Sequence, residues 1–207
     1  MPDIESDQYI TISGRSEGLF KDRGSKFIAI ALPAENAEKA MGFLEEIKKE
    51  YHAARHHCYA YRLLQEDRVI ERSDDDGEPA GSAGLPILQQ LQGADLLNAL
   101  LVVTRYFGGT KLGVGGLVRA YGEAARSALD GATILEKSLR VEVSIAFPIE
   151  VNSSVMATIH RQRAEIVEIG YERQGRVRVR LAPSGVEAFR RALVESTGDR
   201  VHVEVCS

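Results

Sequence analysis

The 207-residue sequence contains no apolar run near the roughly 20 residues that cross a bilayer, so no membrane-spanning helix and no membrane partner are expected. Its first residues, MPDIESDQYI, are acidic and lack the basic and apolar regions of a secretory leader, and a cytoplasmic protein is expected. Cysteine is scarce. Cys58 and Cys206 lie far apart, and buried or partly buried thiols are expected rather than a disulfide. There is no CxxC and no HExxH pattern, so the run His56-His57-Cys58, with His52 four residues earlier, has little to join. On a strand His56 and Cys58 point one way and His57 the other, which leaves too few ligands on one face; no metal and no cofactor are expected. A GxSxG elbow is also missing, nothing beside Cys58 marks an activated nucleophile, and no catalytic residue is assigned. The net charge of −4 excludes a protein that coats DNA nonspecifically.

What is present is an ordinary soluble composition, 44% hydrophobic and 27% charged, on a chain long enough for one large domain or two small ones. The last seventy residues read most clearly. Leu139 to Phe147 alternates apolar and polar, Pro148 closes it, and Asn152 or Ser153 is placed to cap a helix carrying Val155, Met156 and Ile159. Strands at Ile166–Tyr171 and Arg176–Leu181 flank a tight turn at Gln174-Gly175; Ser184 is placed to cap a second helix, and Val201 to Val205 ends the series. The order β-α-β-β-α-β predicts a ferredoxin-like domain over residues 138–207. Its arginine row, Arg176, Arg178 and Arg180, reads as a solvated sheet face or a binding patch, and the strands carry too few aromatics for an RNA-recognition motif.

Residues 1–137 are less regular and predict a second α+β domain. Strands are expected at 9–13, 26–32, 57–64 and 68–71, and helices at 34–51, from 82 or 84 onward, and at 115–129. Asn98–Arg105 is apolar without alternation, the mark of a strand covered on both faces. The linker is expected near Glu136–Ser138.

The chemistry concentrates between Ser73 and Tyr121. Seven of the 19 glycines fall in two loops, one acidic (Gly77, Gly81, Gly84) and one basic (Gly108, Gly109, Gly113, Gly115), where a ligand or another backbone segment must come close. Ahead of the 115–129 helix, Gly113, Gly115 and Gly116 offer backbone N–H groups at the positive end of the helix dipole, with Lys111 and Arg105 nearby. This predicts an anion site, with Arg105, Lys111 and Arg119 on phosphates and Tyr106 or Phe107 stacking on a base. Tight packing of the helix on its strand explains the same glycines equally well. The pattern is not a P-loop, which places Gly-Lys-Ser/Thr at the helix start. Asp74, Asp75, Asp76 and Glu78 lack EF-hand spacing; a solvated acidic turn, or a partner for the basic loop, is expected.

The runs SDDDGEPAGSAGLPIL and LLVVTRYFGGTKLGVGGLVRAY, with HHCYAYRL at 56–63, resemble the signature of the IMPACT family in its bacterial branch. The resemblance implies two α/β sandwich domains, the first like domain IV of elongation factor G, the second, ferredoxin-like, similar to its domain V. Both point to RNA or the ribosome as partner. Eukaryotic members regulate translation under amino-acid stress by competing for a ribosome-associated kinase activator, through a further N-terminal module not expected here, so that protein partner is not carried over. Two readings result. One is an RNA- or ribosome-binding modulator of translation acting through the basic glycine-rich loop; the other is an enzyme on a phosphorylated small molecule where the acidic and basic loops meet.

Overall fold

The computed structural model describes residues 7–65 and 68–206, which form two compact units, one of residues 9–137 and one of residues 138–206 with Asp7 and Gln8. The chain is a mixed α/β protein with several sheets.

The first unit opens with β1 (Gln8–Ile12), β2 (Ser16–Asp22) and β3 (Ser25–Pro33). Helix α1 (Ala37–Glu50) starts where the Asn36 side chain accepts a hydrogen bond from the Lys39 N–H at 2.8 Å, and it buries Ala40, Leu44 and Ile47. Then come β4 (His56–Gln65), β5 (Arg68–Asp74), α2 (Gly84–Gly93), β6 (Ala99–Tyr106), α3 (Gly113–Asp130) and β7 (Ile134–Ser138). Five strands make one antiparallel sheet in the order β2-β3-β6-β4-β5, and β1 pairs with β7.

Alternation sorts the side chains to two cores. Ile30, Tyr59, Tyr61, Leu100 and Val102 meet α1, whereas Phe27, Ala29, Cys58, Ala60, Leu101 and Val103 meet α2 and α3. β6 lies at the centre with helices on both faces, which is why its run of Ala99 to Val103 shows no polar alternation. Beyond Leu117 and Tyr121, helix α3 settles closely because the rest of its buried face is small: Ala120, Ala124, Ala125 and Ala128 are fully covered. An added Cβ at Gly18 of β2 would stand 2.3 Å from the Ala128 nitrogen, so only glycine admits that contact. Val118, on the outer side of the helix, faces solvent.

The second unit comprises β8 (Val141–Phe147), α4 (Asn152–Arg161), β9 (Glu165–Tyr171), β10 (Gly175–Leu181), α5 (Val186–Thr197) and β11 (His202–Cys206). Its sheet runs β11-β8-β10-β9, the split β-α-β order, with β8, β10 and the two helices enclosing Val143, Ile145, Phe147, Val177, Val179, Phe189 and Leu193. The expected caps are displaced. A 3-10 turn at Ile149–Val151 follows Pro148, so Asn152 is already helical and accepts instead from the Tyr171 hydroxyl at 3.0 Å. Ser184 lies in a second such turn, Pro183–Gly185, and donates its N–H to the Asp7 carboxylate at 2.9 Å and its hydroxyl to the same group. Cys206, expected to be at least partly buried, is exposed, while Cys58 is buried.

Candidate functional site: a cavity between the acidic and basic loops

Strand register builds the site's wall. Phe27 of β3, Arg105 of β6 and His56 of β4 lie opposite one another on the face that meets α2 and α3. The acidic loop leaves β5 and crosses above this row. Its conformation is fixed by its own carboxylates. Asp75 accepts from the N–H groups of Gly81 at 2.7 Å, Ala83 at 2.9 Å and Gly84 at 2.8 Å, so it caps α2 from eight residues upstream. Asp76, in the left-handed region at φ 42°, accepts from the His57 N–H at 2.7 Å. Asp74 accepts from the Asp76 N–H at 2.8 Å. These three acids are structural.

Glu78 is the exception. It turns inward, where its Oε1 accepts from Arg105 Nη1 at 2.6 Å and from the Tyr121 hydroxyl at 2.8 Å, with the Glu78 and Arg105 side chains 5% and 7% exposed. Glu78 thereby ties the acidic loop to β6 and α3 rather than to the basic loop itself. Burial, then the neighbouring Cys58 and Glu78, pushes the Tyr121 phenol up, and burial pushes the Cys58 thiol up, so both stay protonated. Cys58 donates to the Asp75 carbonyl at 3.0 Å and is no nucleophile. His57 turns its Nε2 to the Tyr51 carbonyl at 3.2 Å. His56 Nδ1 faces the Asp76 carbonyl at 2.8 Å, an acceptor, so Nδ1 carries the proton and Nε2, 4.0 Å from Glu78 Oε1, is left free.

Between the loops lies a cavity of about 460 Å³. Arg55, His56, Glu78 and Arg105 line one side; Phe107, Lys111 and the first turn of α3 line the other. The helix start is open, since Leu112 at its cap position supplies no side-chain hydrogen bond. Gly113 enters it at φ +71°, and a Cβ there would meet nothing within 4 Å. Gly108 has a different reason to be glycine. An added Cβ would stand 1.9 Å from the Gly24 carbonyl carbon and 2.2 Å from the Ser25 nitrogen. Arg105 stacks on the rings of Phe27 and Phe107, 5.4 Å and 5.5 Å from their centroids. Its Nε is the one buried side-chain nitrogen or oxygen, among the described residues, without a hydrogen-bond partner.

The sequence-predicted residues are thus partly gathered. Lys111, Gly113 and Phe107 line the cavity, with Gly115 and Gly116 in the adjoining first turn of α3. Arg105 is a correction: it is an inner-wall residue spent on Glu78, not a surface phosphate contact. Arg119 is another, since it stands outside the cavity lining and pairs with Asp22 of β2 at 2.7 Å. Tyr106 is half-buried and absent from the lining, whereas Phe107 lines it. Arg55 was missed, because an exposed turn residue carries no periodic signal. A larger depression of about 850 Å³ covers the open sheet face of the second unit around Arg176 and Arg178. There Arg178 pairs with Glu168, and beside it Arg180 pairs with Glu142, each at 2.6 Å, as exposed cross-strand pairs.

Two predictions arise here. Burial alone would raise the Asp75 carboxyl, but the three N–H donors outweigh it and hold it below the usual carboxylate range. A depressed folded pKa contributes stability that is whole above the unfolded value, about 3.9, and is lost as pH falls through the folded one. Asp75→Asn should therefore flatten the acid limb of a stability–pH curve measured by urea unfolding; an unchanged limb contradicts the assignment. Gly115→Ala, with nothing within 4 Å of its added Cβ, should stabilise α3 by about 0.5–1 kcal/mol by the same measurement.

Residues 23–129 match the Impact N-terminal domain. The chain belongs to the IMPACT family. The family member YvyE of Bacillus subtilis is 39% identical over 131 residues, 63% of this chain and 60% of YvyE, so the match spans less than two thirds of that relative. The family member YigZ of Escherichia coli is 34% identical over 172 residues, 83% of this chain and 84% of its own. A crystal structure of a hypothetical protein, 29% identical, covers 97% of this chain and 98% of its own with a TM-score of 0.72. The cavity lies within the matched family domain, built from residues 55–117.

Proposed function

We propose that this IMPACT-family chain is a cytoplasmic RNA- or ribosome-binding protein that modulates translation, holding phosphate at the cavity between its two loops. One observation carries the reading. Donors without acceptors line a single concave space: the uncapped start of α3 and the side chains of Arg55 and Lys111, to which no described residue offers an acceptor. Such a set suits an oxyanion, and the exposed ring of Phe107 beside it suits a base. The likeness of the two units to domains IV and V of elongation factor G belongs to the same reading.

A second reading, an enzyme acting on a phosphorylated small molecule, is favoured by the free His56 Nε2 standing 4.0 Å from a carboxylate at the cavity wall, a pair able to handle a proton. Sedimentation separates the two. The protein should pellet with ribosomes at low salt and be released as salt rises. Protein that stays in the supernatant at low salt contradicts the first reading, and phosphate release from small phosphoesters, lost in His56→Ala, would install the second.

A further inference from the structure

We infer that the cavity takes a ribonucleotide bearing a phosphate monoester, as the phosphorylated end of an RNA strand or as a free nucleotide, and not a phosphodiester from within a strand. The inference rests on the reading of this cavity as an anion site and names its ligand class. Charge is the first argument. Arg105 and Glu78 lie 2.6 Å apart and largely cancel toward a ligand. Arg55, Lys111 and the helix start remain, together about two and a half positive charges when the dipole is counted as roughly +0.5. An internal phosphodiester brings one negative charge, whereas a phosphate monoester brings about −1.5 to −2 at neutral pH. The surplus fits the monoester.

Shape is the second. A cavity of about 460 Å³ falls within the roughly 300–1,000 Å³ of small-molecule sites. Proteins that follow a strand instead offer a groove for about 4–16 nucleotides. Pro79, Leu112 and Leu117 in the lining offer nothing to a second phosphate but can cover a sugar or a base. The third argument is the acceptors. With Nδ1 donating to the Asp76 carbonyl, the neutral tautomer of His56 offers Nε2 as an acceptor. Glu78 takes both of its bonds on Oε1, and no described residue donates to Oε2. Acceptors repel phosphate and bind hydroxyls. Beside the phosphate, ribose supplies them, and deoxyribose supplies one fewer.

The test uses the full chain and short labelled strands in an anisotropy titration. The probes are RNA pentamers phosphorylated at the 5′ or the 3′ end, the hydroxyl-ended pentamer, the phosphorylated DNA pentamer, and a ribonucleoside monophosphate as competitor. A terminal phosphate at one end should tighten binding about tenfold, as expected for a charge-assisted contact set. The deoxy strand should bind several-fold more weakly, and Lys111→Ala, at an exposed position, should abolish the phosphate preference. Equal affinity for phosphorylated and hydroxyl-ended RNA would overturn the inference while leaving RNA binding in place. Binding of the free nucleotide without any RNA would uphold it and overturn the RNA reading. No binding of any probe would overturn both.

Discussion

Glu78→Ala should cost about 3–5 kcal/mol of stability in urea unfolding, because it leaves the Arg105 guanidinium charged, buried and unpaired. The Tyr121 hydroxyl loses its acceptor in the same step, and a hydrogen bond to a charged group is worth about 1.5–3 kcal/mol. The two losses are not additive, since both fall on one carboxylate oxygen. Replacing the pair together, as Glu78→Leu with Arg105→Met, should recover the part of the loss due to the unpaired charge, because a buried ion pair and an apolar pair of similar volume differ little in net stability, while the Tyr121 hydroxyl stays without its acceptor. A single variant with wild-type stability would mean that the pair is solvated and the cavity wall is not the dry surface described.

Gly108→Ala should be as damaging through geometry alone. The added carbon would stand 1.9 Å and 2.2 Å from backbone atoms of Gly24 and Ser25, and neither is the end of a flexible side chain that could move aside. Overpacking commonly costs about 1–3 kcal/mol, and a backbone clash belongs at the top of that range or beyond it. The loop holding Phe107 and Lys111 would have to leave the β2–β3 turn, so anion binding should fall together with stability. Gly115→Ala is the contrast, since it meets no atom and should stabilise. If both alanines behave alike, the close approach at Gly108 is not what makes that position glycine.

Legibility followed packing. β6 could be read because both of its faces are covered and every side chain reports that. The second unit could be read because its strands keep one open face and alternate cleanly. β2 escaped because its inward contact to α3 is a glycine, so no apolar period exists to be counted. β7 escaped because all five of its residues are exposed. The partner of Arg119 was hidden for the same reason, as Asp22 lies 97 residues away on that unread strand. In the site, the glycines, Lys111 and the helix start were legible as local sequence. That Glu78 alone of the four acids turns inward was not, because the choice depends on where Tyr121 and Arg105 present their donors.

The salt dependence of RNA binding tests the central claim most directly. With Arg105 spent on Glu78 and Arg119 on Asp22, two free cations remain at the cavity, Arg55 and Lys111. Titration of a single-stranded RNA at several salt concentrations should give a log–log slope of about −1.4, from two contacts at roughly 0.7 each. Lys111→Ala and Arg55→Ala should each lower it by about one contact, whereas Arg119→Ala should leave it unchanged. Unchanged affinity and slope in both cavity variants, or a loss confined to Arg119→Ala, would contradict the account.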